Sequence, residues 1–410
     1  MFWVILIIIV FIVLYLAKYY AYIKNYPKGP MPIPLLGNLH QLKTHNTHLY
    51  FDELAKAYGD VFTVFMPRPV VIITKFQNMK EALIRRGDDF VGRSGLFPDN
   101  IFQSVPNGGI TFASGDSWRE QRRISLRILK DFGMGSGIMV DQIMRSVRTF
   151  IDHLNSISHK QHVDLRWPIQ LKVFIREQVD KQKAQFDPCK EPQTFVHALL
   201  LEMHKGNRFL CNNPNWCVQP FLILKYHRMR AEIIDIVGKD RRICMADKLS
   251  MPYCTVAVVE IQRRANVLPQ NVMHRTVKQT MVSGHCIPAN TLVLPQISSV
   301  LSDSSLFENP DEFKPERFLQ DDGKTPHKAS SSSTELLQYV VPFSMGKRQC
   351  AGEPLARVKL FLILTTLLQN FILEKPLDGA LPDLEPDFAF FAFPKQYKLR
   401  IVPISGCEES

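Results

Sequence analysis

The chain has 410 residues, of which 46% are hydrophobic and 22% charged, a balance typical of globular proteins with one large domain or two to three smaller ones. Its eight cysteines contain no C-x-x-C pair, which argues against a disulfide scaffold and favours a reducing environment. A net charge of +11 is compatible with binding to nucleic acid, to an anionic membrane or to an acidic protein partner. Because the basic residues are spread along the chain, we favour membrane and protein partners and expect no nucleic acid.

The N-terminus is predicted to be a transmembrane signal anchor, residues 1–24. Met1–Ala17 carries no polar side chain except one tyrosine hydroxyl, and Lys18 with the following tyrosines extends it to the ~20 residues that a bilayer needs. A cleaved signal peptide would need a charge before the apolar run and an A-x-A site after it, and neither is present. Because Lys18, Lys24 and Lys28 all follow the run, the rest of the chain is expected in the cytosol.

A proline-rich hinge, residues 25–38, follows the anchor. Its four prolines forbid a helix and stiffen the backbone, which suits a spacer between an anchor and a domain as well as a plain linker. Thr47–Tyr58 is then predicted to be a helix. Val61–Phe65 and Val70–Thr74 are rich in β-branched residues and predict the two strands of a hairpin.

Trp118–Lys130 is a basic segment with helical spacing. Charge runs of this kind are usually solvated helix faces. Trp118 and Arg122 are four residues apart and therefore share one face, so they can contact the same ligand.

Cys254–Leu268 is predicted to be another helix, on which Glu260 and Arg263 can form an ion pair. On a surface such a pair contributes little to stability. Downstream, Arg317 can join as a third member. A buried carboxylate bridging two guanidinium groups needs all three charges and so fixes the segments that carry them.

The run Phe343–Gly352 contains one cysteine, Cys350, just before an apolar helix predicted over Glu353–Ile372. A thiolate at that place meets the positive end of the helix dipole and backbone N–H groups without helical partners, which favours the ionised sulfur. The alternative is that Cys350 is one small buried residue among eight cysteines.

The neighbours of Cys350 favour a ligand site. Gly346 and Gly352 allow the backbone to pass close to a flat ligand, and Arg348 can neutralise an anionic group on it. One thiolate, a close backbone and a nearby arginine suit an axial cysteine on haem iron.

The whole pattern resembles the haem-binding loop of the cytochrome P-450 (haem-thiolate monooxygenase) family, and within it the animal microsomal subgroup that oxidises small lipophilic molecules. The resemblance runs from the anchor to about Leu171 and from about Lys225 to the C-terminus. It implies a mainly α fold with small β-sheets, in which residues 39–410 form the haem-thiolate domain.

The resemblance also implies roles for individual residues. Cys350 matches the axial ligand of haem b, Phe343 a residue near the sulfur, and the Glu260, Arg263 and Arg317 set matches residues that support the cysteine loop. No catalytic side chain is assigned. The residues expected to bind the cofactor are Trp118, Arg122, Arg275, Phe343, Arg348, Cys350 and Gly352.

By the same resemblance, the partners are an NADPH-dependent flavoprotein reductase, the lipid membrane and a small lipophilic substrate. Exposed arginines of Trp118–Lys130 are candidates for docking an acidic electron donor. The expected location is the endoplasmic reticulum membrane, with the main domain facing the cytosol.

The chain departs from the family in its middle. The family's central helix carries an [A/G]-G-x-[D/E]-T motif that helps deliver protons to bound oxygen, and no such motif is present. Family segments are missing near residues 171–172 and 207–224, so the expected fold is incomplete, without the central helix and part of the substrate roof.

Three functions follow. The first is a monooxygenase that uses O2 and electrons from the reductase. The second is a haem-thiolate isomerase or dehydratase, which needs neither the missing threonine nor a reductase. The third is a catalytically inactive haem-binding or truncated relative.

Overall fold

The computed structural model describes a chain that is mainly helical with small β-sheets, as predicted. The described residues are 1–42, 46–96, 99, 107–131, 137–157, 163, 222–320, 336–375, 386–388, 391–395 and 397–404. Their α-helices are α1 (Phe2–Ile23), α2 (Thr47–Tyr58), α3 (Phe76–Lys80), α4 (Gly115–Asp131), α5 (Gly137–Ser156), α6 (Leu222–Ile236), α7 (Pro252–Ala265), α8 (Ile297–Leu301), α9 (Leu336–Tyr339) and α10 (Glu353–Asn370).

The strands form one larger sheet and three two-stranded sheets. The larger sheet has the order β1-β2-β7-β4-β3, and the pairs are β5 with β6, β8 with β11, and β9 with β10. The strands are β1 (Val61–Met66), β2 (Arg68–Ile73), β3 (Gly92–Arg93), β4 (His274–Arg275), β5 (Thr280–Val282), β6 (His285–Ile287), β7 (Leu292–Pro295), β8 (Phe371–Glu374), β9 (Pro386–Phe388), β10 (Ala392–Pro394) and β11 (Arg400–Pro403).

The first of two compact units comprises Met1–Ile101, Leu268–Ser302 and Phe343–Gln349. It holds the larger sheet. The predicted hairpin is present as antiparallel β1 and β2, and β2 continues parallel to β7, with Val70 opposite Leu292. Helix α2 covers this sheet through an apolar core. The buried residues of that core are Phe51, Leu54, Phe62, Val64, Val70, Ile72 and Leu294.

The second unit comprises Phe102–Val267, Asp303–Pro342 and Cys350–Ser410. Helix α10 packs against α5, α6 and α7, because apolar side chains cover most of its circumference. Leu362, Leu367 and Leu368 on α10 are completely buried. The second unit therefore holds the residues after Cys350 in a rigid helical core.

Two predicted helix boundaries were wrong. Helix α10 ends at Asn370 and not at Ile372, because Phe371–Glu374 alternates between buried and partly buried residues and pairs with β11. Helix α7 ends at Ala265 and not at Leu268, because Asn266 adopts the left-handed conformation (φ 38°) that terminates helices.

Helix α1 is the one helix within the described ranges that is long and apolar enough to cross a membrane, and none of it is buried in the protein. This agrees with the predicted anchor. The missing family segments were placed near residues 171–172 and 207–224, and both positions lie outside the described residues.

Candidate functional site

Cys350 lies just before helix α10, for which Gly352 is the N-terminal cap. Hydrogen bonding from the backbone N–H groups of Gly352 and Glu353 lowers the pKa of its thiol. These amides belong to the first turn of the helix, where N–H groups have no acceptor inside the helix. The N–H of Glu353 lies 3.5 Å from the carbonyl oxygen of Cys350. The first turn of α10 therefore favours the ionised sulfur, as expected from the sequence.

Burial has the largest effect on the pKa of Cys350. It raises the pKa of the thiol, although the residue is exposed, and the two backbone amides and Arg122 lower that pKa by less. The helix terminus therefore favours the thiolate, as the sequence indicated, but burial outweighs it. A cation bound directly to the sulfur reverses this balance, because a coordinating thiol loses its proton.

Helix α4 brings Arg122 to the cysteine. Burial lowers the pKa of Arg122, and the charge of Cys350 raises it, so the two groups lie close enough to interact. One turn earlier, Trp118 is buried, with 4% of its surface exposed. The predicted shared face of Trp118 and Arg122 is thus turned into the second unit, and not towards solvent.

The structure brings Glu260, Arg263 and Arg317 together. Nε of Arg263 lies 2.7 Å from Oε2 of Glu260, and Nε of Arg317 lies 3.3 Å from Oε1. All three side chains are at most 4% exposed. Arg263 and Arg317 also donate to the backbone carbonyls of Pro310 and Glu308, each at 2.7 Å. The triad therefore ties α7 to the segment that follows residue 308.

The other predicted residues lie in the first unit. Arg348 is buried and donates through Nε and Nη2 to the carbonyl of Val91, at 2.8 and 2.6 Å. Phe343 is also buried. Arg275 is half-buried on β4, and within the described residues its side chain makes no hydrogen bond or ion pair. Arg275 can therefore accept an anionic partner without breaking an existing contact.

Sequence reasoning missed two basic residues beside Arg348. Arg93 is 4% exposed and donates to the carbonyls of Val272 and Met273. His274 is 1% exposed, and its Nδ1 lies 2.8 Å from the carbonyl of Phe90. Burial lowers the pKa of His274 well below its usual value, and Arg93 and Arg348 lower it further. No spacing in the sequence marked Arg93, whereas His274 directly precedes the predicted Arg275.

This cluster fits a ligand that carries carboxylates. Nε2 of His274 is buried and has no hydrogen-bond partner in the described part of the chain. A buried polar atom without a partner is costly, so an external group is expected to satisfy it. A carboxylate near His274 would also offset the positive charges of Arg93 and Arg348. The first unit therefore offers a buried basic cluster that suits a carboxylate.

Gly346 provides a test of the loop. Its φ is +76°, and an added Cβ would lie 1.9 Å from the carbonyl oxygen of Leu83. We expect Gly346→Ala to displace the loop and to lower both the thermal midpoint and the haem content. Gly284→Ala is the matched control, since φ is +77° there but nothing lies within 4 Å. The control should lose only the ~1–2 kcal/mol of folding free energy that a left-handed backbone costs an alanine. Equal losses in the two variants would contradict the close approach.

Comparison with known proteins gives a family match on both sides of the middle segment. The chain matches the profile described as cytochrome P-450 over residues 27–176 and 225–401. Cytochrome P-450 2C3 of Oryctolagus cuniculus is 30% identical over 476 residues, covering 92% of this chain and 94% of the relative. Cytochrome P-450 2B4 of the same organism is 30% identical over 472 residues, with the same coverage. Cytochrome P-450 2E1 of Rattus norvegicus is 28% identical over 479 residues, covering 93% of this chain and 94% of the relative.

The alignments also measure how much shorter this chain is. The first alignment has 476 positions and covers 92% of this chain, which is about 377 of its 410 residues. About 99 aligned positions of the relative therefore have no counterpart in this chain. The family match is interrupted over residues 177–224, which include the interval 207–224. Which helices these positions formed in the relatives stays a prediction.

Proposed function

The chain belongs to the cytochrome P-450 family, and from that membership we propose that it is a membrane-anchored haem-thiolate monooxygenase of small lipophilic substrates. Members of the family bind haem b through a cysteine thiolate and receive electrons from NADPH through a reductase. The observation that carries the proposal is the place of Cys350 at the start of α10, where two backbone amides favour the ionised sulfur. When bound, haem b supplies O2 activation, which a thiolate ligand promotes by favouring O–O cleavage.

Cys350 would hold the haem iron through its sulfur. The amides of Gly352 and Glu353 favour the negative charge on its sulfur. Hydrogen bonds to a metal ligand of this kind orient the ligand and adjust the reduction potential of the metal. Arg122 adds a positive charge on the same side. These groups would stabilise a thiolate bound to iron, and they oppose the burial that raises the pKa of the thiol.

If haem b is bound, basic residues of the chain would hold its two propionate groups. Trp118 and Arg122 present a donor face on α4, and Arg275 and Arg348 were assigned to the same role from the sequence. Arg93 and His274 join this set, because their cluster is buried and Nε2 of His274 lacks a partner in the described residues. A carboxylate raises the pKa of a neighbouring imidazole, so bound propionate favours the donating, protonated form of His274.

The Glu260–Arg263–Arg317 triad holds the scaffold. Its role is to fix the chain that supports the cysteine loop. Its charges are buried and mutually satisfied, which gives a rigid connection and not a large gain in stability.

The electron donor is an NADPH-dependent flavoprotein reductase, docked by the exposed arginines of α4. Arg119 and Arg123 are 63% and 64% exposed, and their ion pairs with Asp116 and Glu120 are weak surface contacts. Positive side chains at an interface steer an acidic partner and set the rate of encounter. The protein resides in the endoplasmic reticulum membrane, with the chain that follows α1 in the cytosol, because the lysines that follow the apolar run favour that side.

A haem-thiolate isomerase or dehydratase is the second candidate. The shortened middle favours it, since about 99 aligned positions of a relative have no counterpart here and the proton-delivery motif is not found. A reaction that rearranges an already oxygenated substrate needs neither that motif nor the reductase. The same shortening would also suit a haem-binding relative without turnover.

Turnover in membranes separates these functions. Membranes containing the chain and reductase would receive NADPH, 18O2 and a panel of lipophilic substrates, and the products would be analysed by mass spectrometry. The monooxygenase is expected to incorporate one 18O atom in an NADPH-dependent manner. Rearrangement of a lipid hydroperoxide without NADPH would identify the isomerase. Bound haem without either reaction would identify the inactive relative.

A further inference from the structure

A short backbone segment contacts the basic cluster of the first unit. We call residues Asp89–Arg93 the support segment, and the basic cluster comprises Arg93, His274 and Arg348. Phe90 and Val91 in this segment are 1% and 6% exposed, and neither they nor Gly92 carries a polar side chain. These three residues can therefore orient a polar neighbour only through their backbone N–H and carbonyl groups, which form strong hydrogen bonds when they are buried.

Two carbonyl groups of the support segment hold members of the basic cluster. The carbonyl oxygen of Phe90 lies 2.8 Å from Nδ1 of His274. Because a carbonyl can only accept, Nδ1 carries the proton, and Nε2, which has no partner within the described residues, is left for an external ligand. The carbonyl oxygen of Val91 accepts from Nε and Nη2 of Arg348, at 2.8 and 2.6 Å. The support segment therefore fixes the orientation of both side chains.

The end of the support segment is strand β3, which pairs with β4. Gly92 lies opposite Arg275, and Arg93 lies opposite His274. A Cβ added to Gly92 would lie 2.6 Å from the carbonyl oxygen of Arg275, so the two backbones approach too closely there for a side chain. Each member of the basic cluster therefore belongs to the support segment or is held by it.

The carboxylate of Asp89 fastens the support segment inside the first unit. Asp89 is 8% exposed, and its Oδ2 accepts the hydroxyl of Thr280 on β5 at 2.8 Å. Its Oδ1 lies 3.2 Å from Nζ of Lys278, and its backbone carbonyl accepts the N–H of Val277 at 2.8 Å. The lysine is 70% exposed, so its ion pair contributes less than the buried contact with Thr280. Asp89 therefore joins β5 and the residues before it to the support segment.

We propose that Asp89 is a positioning residue for haem binding: it holds the support segment where its carbonyls orient His274 and Arg348 for the carboxylates of haem b. Asp89 itself is not expected to touch the cofactor. At metal sites, groups that only orient the ligands change the affinity by about 10–100-fold, and the support segment stands in the same relation to the basic cluster. This proposal rests on the proposed binding of haem b, and it is independent of the reaction that the haem performs.

Haem dimethyl ester, in which both propionates are esterified, separates a positioning role from a merely structural one. The full-length parent chain, Asp89→Ala and Asp89→Asn would be prepared without haem in phosphatidylcholine vesicles. Each is titrated with haem b and with the dimethyl ester, and the dissociation constants are taken from the Soret absorbance. Asp52→Ala is the matched control in the same unit. Asp52 accepts from Ser299 at 2.5 Å and from Gln296 at 2.9 Å, so it joins α2 to α8 and belongs to neither the support segment nor the basic cluster.

Asp89→Ala is expected to weaken the binding of haem b about tenfold and to change the binding of the dimethyl ester by about twofold or less. Asp89→Asn keeps an oxygen for the hydroxyl of Thr280, so it is expected to fold even where the alanine variant does not, with a smaller loss of the same kind. Asp52→Ala should change both dissociation constants by the same factor.

An equal loss of affinity for the two ligands in the Asp89 variants would show that Asp89 is merely structural and would overturn the proposal. Unchanged binding of haem b in these variants would do the same, while leaving the haem-binding function intact. A parent chain that binds neither ligand would instead overturn the proposed function, and the role of Asp89 with it.

Discussion

Replacing Cys350 with serine is expected to abolish reductase-dependent turnover and to lower haem content sharply. The serine hydroxyl is a poor iron ligand, and it cannot supply the electron density by which a thiolate favours O–O cleavage. The amides of Gly352 and Glu353 would remain as donors, so the loop is expected to keep its shape. Haem per protein and NADPH-dependent product formation, measured on the same membranes, check this result.

Cys286→Ser is the matched control for the cysteine substitution. Cys286 is an exposed free thiol on β6, and its loss is expected to leave haem content and turnover unchanged. Wild-type haem content and turnover in Cys350→Ser would show that another group binds the iron. The assignment of the axial ligand would then be wrong.

Replacing Glu260 with glutamine is expected to produce the largest loss of stability outside the cysteine loop. The substitution leaves the buried guanidinium groups of Arg263 and Arg317 without their carboxylate, at 1% and 4% exposure. Removing one partner of a buried ion pair typically costs ~3–5 kcal/mol. The free energy of unfolding by urea and the haem retained after mild heating check the effect.

Glu374→Gln is the control for the triad. Its carboxylate pairs with Arg400 at 2.8 Å, but both side chains are about 40% exposed. A surface pair of this kind contributes ~1 kcal/mol or less. If the two glutamine variants were equally stable, the triad would contribute no more to stability than an exposed ion pair. It could then not be what fixes the chain that supports the cysteine loop.

Local patterns allowed several features to be predicted from the sequence. The pairing of Glu260 with Arg263 depends only on helical spacing, and the hairpin β1–β2 on its β-branched residues. The donors on the Cys350 sulfur follow from the position of the cysteine before a helix. Each of these contacts joins residues that are close in the chain, where the spacing itself fixes which groups meet.

Spacing alone could not predict contacts between distant parts of the chain, and the contact of Arg317 with Glu260 was expected through the family resemblance. Arg348 donates to Val91, 257 residues away, and His274 pairs with Phe90, 184 residues away. The burial that raises the pKa of Cys350 could not be predicted either, because it depends on tertiary packing. The end of α10 also depended on a distant partner, because β11 pairs with Phe371–Glu374.

The internal shortening gives the haem-binding account its sharpest test. Cys350, Arg122 and the Glu260–Arg263–Arg317 triad are present in one unit, whereas about 99 aligned positions of a relative have no counterpart. If the residues described above suffice to hold haem, the shortened chain remains a haem protein. If they do not, the chain is a relative that has lost its cofactor together with the missing segments.

The reduced carbon monoxide difference spectrum of the 410-residue chain, expressed in membranes with haem supplied, tests this claim most directly. A strongly red-shifted Soret band is expected, because only a thiolate opposite the carbon monoxide gives that shift. A band at the ordinary haem position, or no band, would contradict the assignment of Cys350 as a working axial ligand in this chain.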